Sequence, residues 1–132
     1  MKRFLMIVFC AAPLACQFGT QVGALTVAHE PTGTAATIAL RSGTIVNGEL
    51  LAVGDTDITM LWSDSVWSLP YARARKMTFS GVPVTLNNGV GPTPTERDRL
   101  RLSSRFPHGL SPDLEARLLA AHHQAALAAF AP

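Results

Sequence analysis

A small, mainly β fold with α-helix at its C-terminal end is predicted by three features of the chain. Residues 37–79 alternate apolar and polar side chains in short runs, the period of half-buried strands. Ser42-Gly43, Gly54-Asp55 and Ser63-Asp64-Ser65 punctuate those runs with turn-forming residues. From Thr93 onward the pattern changes to helical spacing, with start signals at Thr93 and Ser111. Together they predict a five-stranded barrel over residues 36–80 and a helical hairpin over residues 93–130. A chain of 132 residues is the size of one domain with a modest core.

The N-terminal stretch predicts export. Met1, Lys2 and Arg3 form a basic start, residues 4–12 (FLMIVFCAA) are continuously apolar, and small residues follow at Val22, Gly23 and Ala24. That is the layout of a secretory signal. A membrane-spanning helix needs about 20 apolar residues, and Pro13, Gln17 and Gly19 interrupt this run too early. Two exits from the signal stay open. Cleavage after Ala24 places Val22 and Ala24 at the small-residue positions. Alternatively, Leu14-Ala15-Cys16 resembles the lipobox of bacterial lipoproteins, with Pro13 where that motif usually carries leucine; the resemblance implies lipidation of Cys16 and membrane anchoring through it. Cys10 and Cys16 are the only cysteines, so on either route the exported domain has neither disulfide nor thiol chemistry. The signal thus covers residues 1–24, or ends before Cys16, and residues 25–35 (LTVAHEPTGTA) read as a flexible spacer.

Charge then argues against nucleic acid as the partner. The formal net charge of +2 includes Lys2 and Arg3, and without them nine basic residues face nine acidic ones. No general electrostatic attraction to a polyanion remains. Two local clusters stand out, Arg73/Arg75/Lys76 and Arg97/Arg99/Arg101/Arg105, which read as solvated faces, or as contacts to anionic headgroups or cell-wall polymer.

Within the barrel, the first strand (residues 36–41) turns Ile38 and Leu40 to one side, and Gly43 supplies a tight turn. The second strand (44–53) is long and carries Gly48 near its middle, where a missing side chain marks a bend. The third (57–62) presents Ile58 and Met60, and the fourth spans 66–69. Residues 70–73 form one helical turn, and the fifth strand (76–80) closes the barrel with Met77 and Phe79 inward.

The rhythm Ile38, Leu40, Gly43, Val46, Gly48, Leu50, Val53, Asp55 resembles the first motif of Sm-like proteins, a branch of the SH3-like small barrels. The resemblance implies the barrel, and in most of that family ring assembly and RNA binding, carried by an Asn in the third strand and an Arg-Gly step later on. Here Thr59 takes the Asn position, and residues 74–81 (ARKMTFSG) contain no Arg-Gly step, so RNA binding stays only as the least favoured reading that the resemblance implies.

Residues 81–92 read as a Gly/Pro/Asn linker. Thr93-Pro94-Thr95-Glu96 begins a helix with a capping box and proline at its first position. Ser111-Pro112-Asp113 begins another, along which Leu114, Leu118, Ala121 and Ala125 form a stripe reaching about Phe130. Residues 100–121 also resemble the tail of bacterial envelope proteins with similar barrels, which implies a location and no activity.

Site chemistry is sparse, and the expectation is a non-enzyme without cofactor or metal. His122 and His123 would point about 100° apart on a helix and could not share an ion. Ser103, Ser104, His108 and Asp113 lack the motif that positions a nucleophilic serine. Asp55, Asp57 and Asp64 lie near turns, where they suggest either a cation site or, at least as well, turn chemistry. What remains is surface. Trp62, Trp67 and Tyr71 bracket the third and fourth strands as a candidate contact face, and Leu114 and Leu118 offer a helix stripe to the barrel or to a neighbour. The reading is an exported envelope interaction or assembly module with a protein partner or self-association, its alternative a periplasmic ligand-binding domain that uses the aromatic surface.

Overall fold

Apolar alternation fixes each strand to one side of a common core. In the computed structural model, which describes residues 32–130, the strands are β1 (Ala35–Leu40), β2 (Ile45–Val53), β3 (Asp57–Trp62), β4 (Ser65–Pro70), β5 (Ala74–Phe79), β6 (Val82–Asn87) and β7 (Ala128–Ala129). Two helices lie between the last two, α1 (Pro94–Ser103) and α2 (Pro112–Ala121). The fold is mainly β, an open seven-stranded sheet in the order β6-β5-β1-β2-β3-β4-β7. All pairings are antiparallel except β4 with β7. The expected export signal, its cleavage site and Cys16 lie outside the described residues.

The expected closed five-stranded barrel is therefore corrected on two counts. β5 does not end the sheet: Ser80-Gly81 turns it back, with Gly81 at φ 72°, into β6, which fills half of the expected linker. Val84 and Leu86 are buried there, and Pro83 is tolerated because β6 is an edge strand with a side that need not donate. Nor does β4 pair with β5; its free edge is taken by the C-terminal segment through β7. A three-residue 3₁₀ turn, Tyr71–Arg73, links β4 to β5 as expected.

A bulge in β2 divides the interior. Leu50 pairs with Met60 and Ala52 with Thr59, which leaves Leu51 as an extra residue. Alternation is interrupted there, so Leu50, Leu51, Ala52 and Val53 are all buried. Leu50 and Val53 join the main core with Ile38, Val46, Ile58, Met60, Leu69, Met77 and Leu100, whereas Leu51 joins a second cluster with Val66, Leu118 and Leu119. The backbone exposed beside the bulge is not left unpaired. Arg105 N donates to Leu50 O (3.1 Å), Phe106 N to Leu51 O (2.8 Å), and Leu50 N to Thr34 O (2.9 Å). Gly33 and Thr34, at the end of the expected spacer, are thus part of the domain: Gly33 N also donates to Glu49 Oε1 (2.7 Å), and a side chain at Gly33 would run into Leu50 O. Glu49 is held in turn by Arg105 through paired bonds of 2.7 and 2.6 Å.

The helices depart from a hairpin. α1 starts as expected, with the Thr93–Glu96 capping box formed in both directions, but it stops at Ser103 and sends Leu100 into the main core against β2 and β6. α2, capped by Ser111, lies over β4 and covers the second cluster. It ends at Ala121, well short of Phe130. His123 then takes a left-handed backbone (φ 55°), and residues after it leave the helix axis. The expected stripe is corrected accordingly. Leu118 and Leu119 form the buried face, Leu114 is half-buried, and Ala121 and Ala125 are exposed. No helix among the described residues is long and apolar enough to cross a membrane.

Candidate interaction groove

The β3–β4 hairpin places the two tryptophans. Its turn residues Ser63 and Asp64 both adopt positive φ (51° and 59°), the tight two-residue form that matches strand twist. In that register Met60 faces Trp67 across the ladder and Trp62 faces Ser65. Trp62 and Trp67 therefore project from the core side of the sheet at its open end. Their ring centroids are 5.2 Å apart, and Trp67 Nε1 donates to Trp62 O at 3.1 Å, so the polar edge of one indole is satisfied by the backbone of the other.

A third ring arrives from the C-terminal segment. Phe130 stacks on Trp67 with centroids 4.4 Å apart and lies 5.6 Å from Trp62. It is carried there by β7, where Ala128 sits beside Trp67 and Ala129 beside Ser68, and Arg73 Nη1 donates to Phe130 O at 3.4 Å. Upstream, the Gln124 side chain takes the place of a strand residue. Its Oε1 accepts from Val66 N (2.6 Å) and its Nε2 donates to Val66 O (3.1 Å). Beside the three rings, an open groove of about 520 Å³ runs to Leu40, Ser42 and Thr44 at the β1–β2 turn. No charged side chain lines it.

Tyr71 does not share this surface. It is 4 % exposed in the main core, its hydroxyl donates to Gly54 O at 3.0 Å, and burial pushes its pKa up to about 12 against the opposing pull of Arg97. Leu118 is buried under α2 on the other face of the sheet, and Leu114 is half-buried on the same helix. Cys16 lies outside the described residues. Of the five described candidate contact residues, only Trp62 and Trp67 come together. Phe130 and Gln124 were missed because helical spacing carried the second helix through both; the signal available was the pair of adjacent histidines, poor company for an apolar stripe.

Several of the other polar groups singled out in the sequence have structural partners. Asp55 is paired with Arg97 (2.9 Å) and approached by Arg101 (4.0 Å), and Asp57 accepts from Ser68 Oγ (2.7 Å). Ser103 and Ser104 donate their hydroxyls back to Arg99 O and Arg101 O, so each is committed to finishing α1. Among the described residues no group of three or more His, Cys, Asp or Glu side chains is placed to hold a metal ion. No protein-family model, curated protein or solved structure matches the chain.

Proposed function

We propose that the chain is an exported, non-enzymatic interaction module of the bacterial cell envelope that holds a protein partner at the Trp62/Trp67 groove. The single observation that carries this reading is the half-exposed tryptophan pair beside an uncharged groove of about 520 Å³ at a sheet edge. Large rigid aromatics at a surface give contact area at little entropic cost, the character of interface anchors. A groove open along one side suits a polypeptide segment better than a small ligand, which a binding cavity normally encloses over most of its surface. Export and anchoring rest on the basic-apolar start and on Cys16.

Kinship with Sm-like barrels is supported by the order β5-β1-β2-β3-β4 and the helical turn between β4 and β5. RNA binding does not follow from it: Thr59 stands at the Asn position, and Arg97 and Arg105 are engaged by Asp55 and Glu49. The test is a photo-crosslinking residue at Thr44 on the groove rim, with one at Thr85 on β6 as control, in cells expressing the full chain. Discrete adducts from Thr44 that vanish with Trp67→Ala in a folded protein are expected. Adducts indifferent to Trp67, or formed equally from Thr85, would overturn the groove as the contact site.

A further inference from the structure

Residues 124–130 lie on the β4 edge in the way a bound peptide would. A side-chain amide covers both backbone groups of Val66, a parallel strand then runs beside Trp67 and Ser68, and an aromatic ring enters the groove with its carbonyl held by Arg73. The strand pairing of this covering is short, and besides Phe130 only Leu127 holds it by apolar contact, half-buried against the second cluster. β7 has two residues where most strands of the sheet have six, it is the one parallel pairing, and its alanines bury little; Phe130 is its only large contact with the rings. Even with Phe130 seated, the groove continues beside it.

We infer that the β4 edge and the Trp62/Trp67 groove form a binding site for an extended, uncharged segment of another polypeptide, small residues followed by an aromatic, and that the chain's own residues 124–130 fill this site in cis. The inference rests on the proposed groove reading and names its ligand. Recognition is by strand addition: main-chain hydrogen bonds along β4 supply affinity, and the aromatic pocket supplies selectivity. A longer guest strand would pair with β4 where residues 125–127 do not. The tethered segment competes at an effective concentration in the millimolar range, so the site admits a partner only when the partner outbids it or Phe130 is withdrawn.

Trp62 and Trp67 are the only tryptophans, so emission of the full chain reports this groove alone. The probe is the acetylated peptide QAALAAF, the sequence of residues 124–130. Phe130→Ala should bind it at least about ten-fold more tightly than the unaltered chain, as loss of cis competition requires, and the same peptide ending in alanine should leave emission unchanged. Phe130→Leu, which keeps apolar cover but loses the ring stack, should shift binding in the same direction by less. A folded Phe130→Ala or Phe130→Leu chain whose emission ignores millimolar peptide would overturn strand addition. If Thr44 adducts persist in that case, the groove still binds partners by another mode; if they are absent too, the groove reading itself fails. A concentration-dependent dimer that Phe130→Ala abolishes would overturn a foreign donor in favour of a second copy.

Discussion

Tyr71 offers a measurement in which one residue can be watched without interference, because it is the only tyrosine of the chain. Its hydroxyl donates to Gly54 O at 3.0 Å inside the main core, and burial raises its pKa from 10.0 to about 12. The folded state therefore favours the neutral phenol. Stability from this group is complete below pH 10 and is lost as pH rises from 10 to about 12, since the unfolded chain releases its proton first. Two units at about 1.4 kcal/mol each amount to roughly 2–3 kcal/mol by the end of that window. Tyr71→Phe removes both the hydrogen bond and the titration. At neutral pH it should cost about 1 kcal/mol, the usual worth of one such bond. The unaltered chain then gives up that advantage near pH 11, and above it the phenylalanine variant should be the more stable of the two. Phenolate absorbance titration of the folded chain, with urea melts of both proteins at several alkaline pH values, reads both effects. A phenolate midpoint at 10 in the folded state, or two stability curves that stay parallel across the window, would refute a buried, hydrogen-bonded Tyr71.

Three further outcomes follow from the packing. Gly48→Val should lower stability by roughly 1–3 kcal/mol in a thermal melt, because a side chain there would collide with the backbone carbonyl of Leu61 and with Met60 Cε; an unchanged melt would mean that β2 and β3 do not approach as described. Leu118→Ala should cost about 2–3 kcal/mol, and Leu118→Glu should unfold the domain, since Leu118 packs on Leu51 and Val66 of its own sheet; light scattering that shows an oligomer becoming a folded monomer in Leu118→Glu would instead make this helix an assembly surface. For the N-terminal region, palmitate labelling that Cys16→Ser abolishes marks a lipoprotein, a mature chain beginning at Leu25 marks cleavage after Ala24, and an intact N-terminus retained in the cytoplasm contradicts both.

Legibility in the sequence followed the range of the interactions. The first five strands and their turns were readable because period-2 burial and Ser-Gly or Gly-Asp turns are local signals, and the Thr93 capping box is written in four consecutive residues. The sixth strand carried its own alternation at Val82, Val84 and Leu86, yet Pro83 and the Asn87-Asn88-Gly89 turn outweighed it. Proline argues against a strand only when both edges are paired, and edge status depends on topology that local pattern does not encode. The bulge at Leu51 was hidden for a similar reason: four consecutive apolar residues look the same whether they serve one buried layer or two.

The groove was half legible, and the missing half is instructive about sheet edges. Trp62 and Trp67 announce themselves by size within a hairpin, but Phe130 reaches them only after a helix that stops where helical spacing says it should continue. Nothing in residues 112–130 competes strongly with helix; Ala and Leu fill it, and alanine is the best helix former. The competing term is supplied by β4, which would otherwise leave the outward-facing backbone of Val66 and Ser68 unpaired beside two half-bare indoles. Helix propensity of a few tenths of a kcal/mol per residue is smaller than the combined gain of two amide bonds to Val66 and a stacked ring on Trp67. The same comparison explains why the contact can be exchanged. An edge that outbids a helix for residues 124–130 has no means of distinguishing them from any other strand that brings a hydrogen-bonding partner for Val66 and an aromatic ring for the groove.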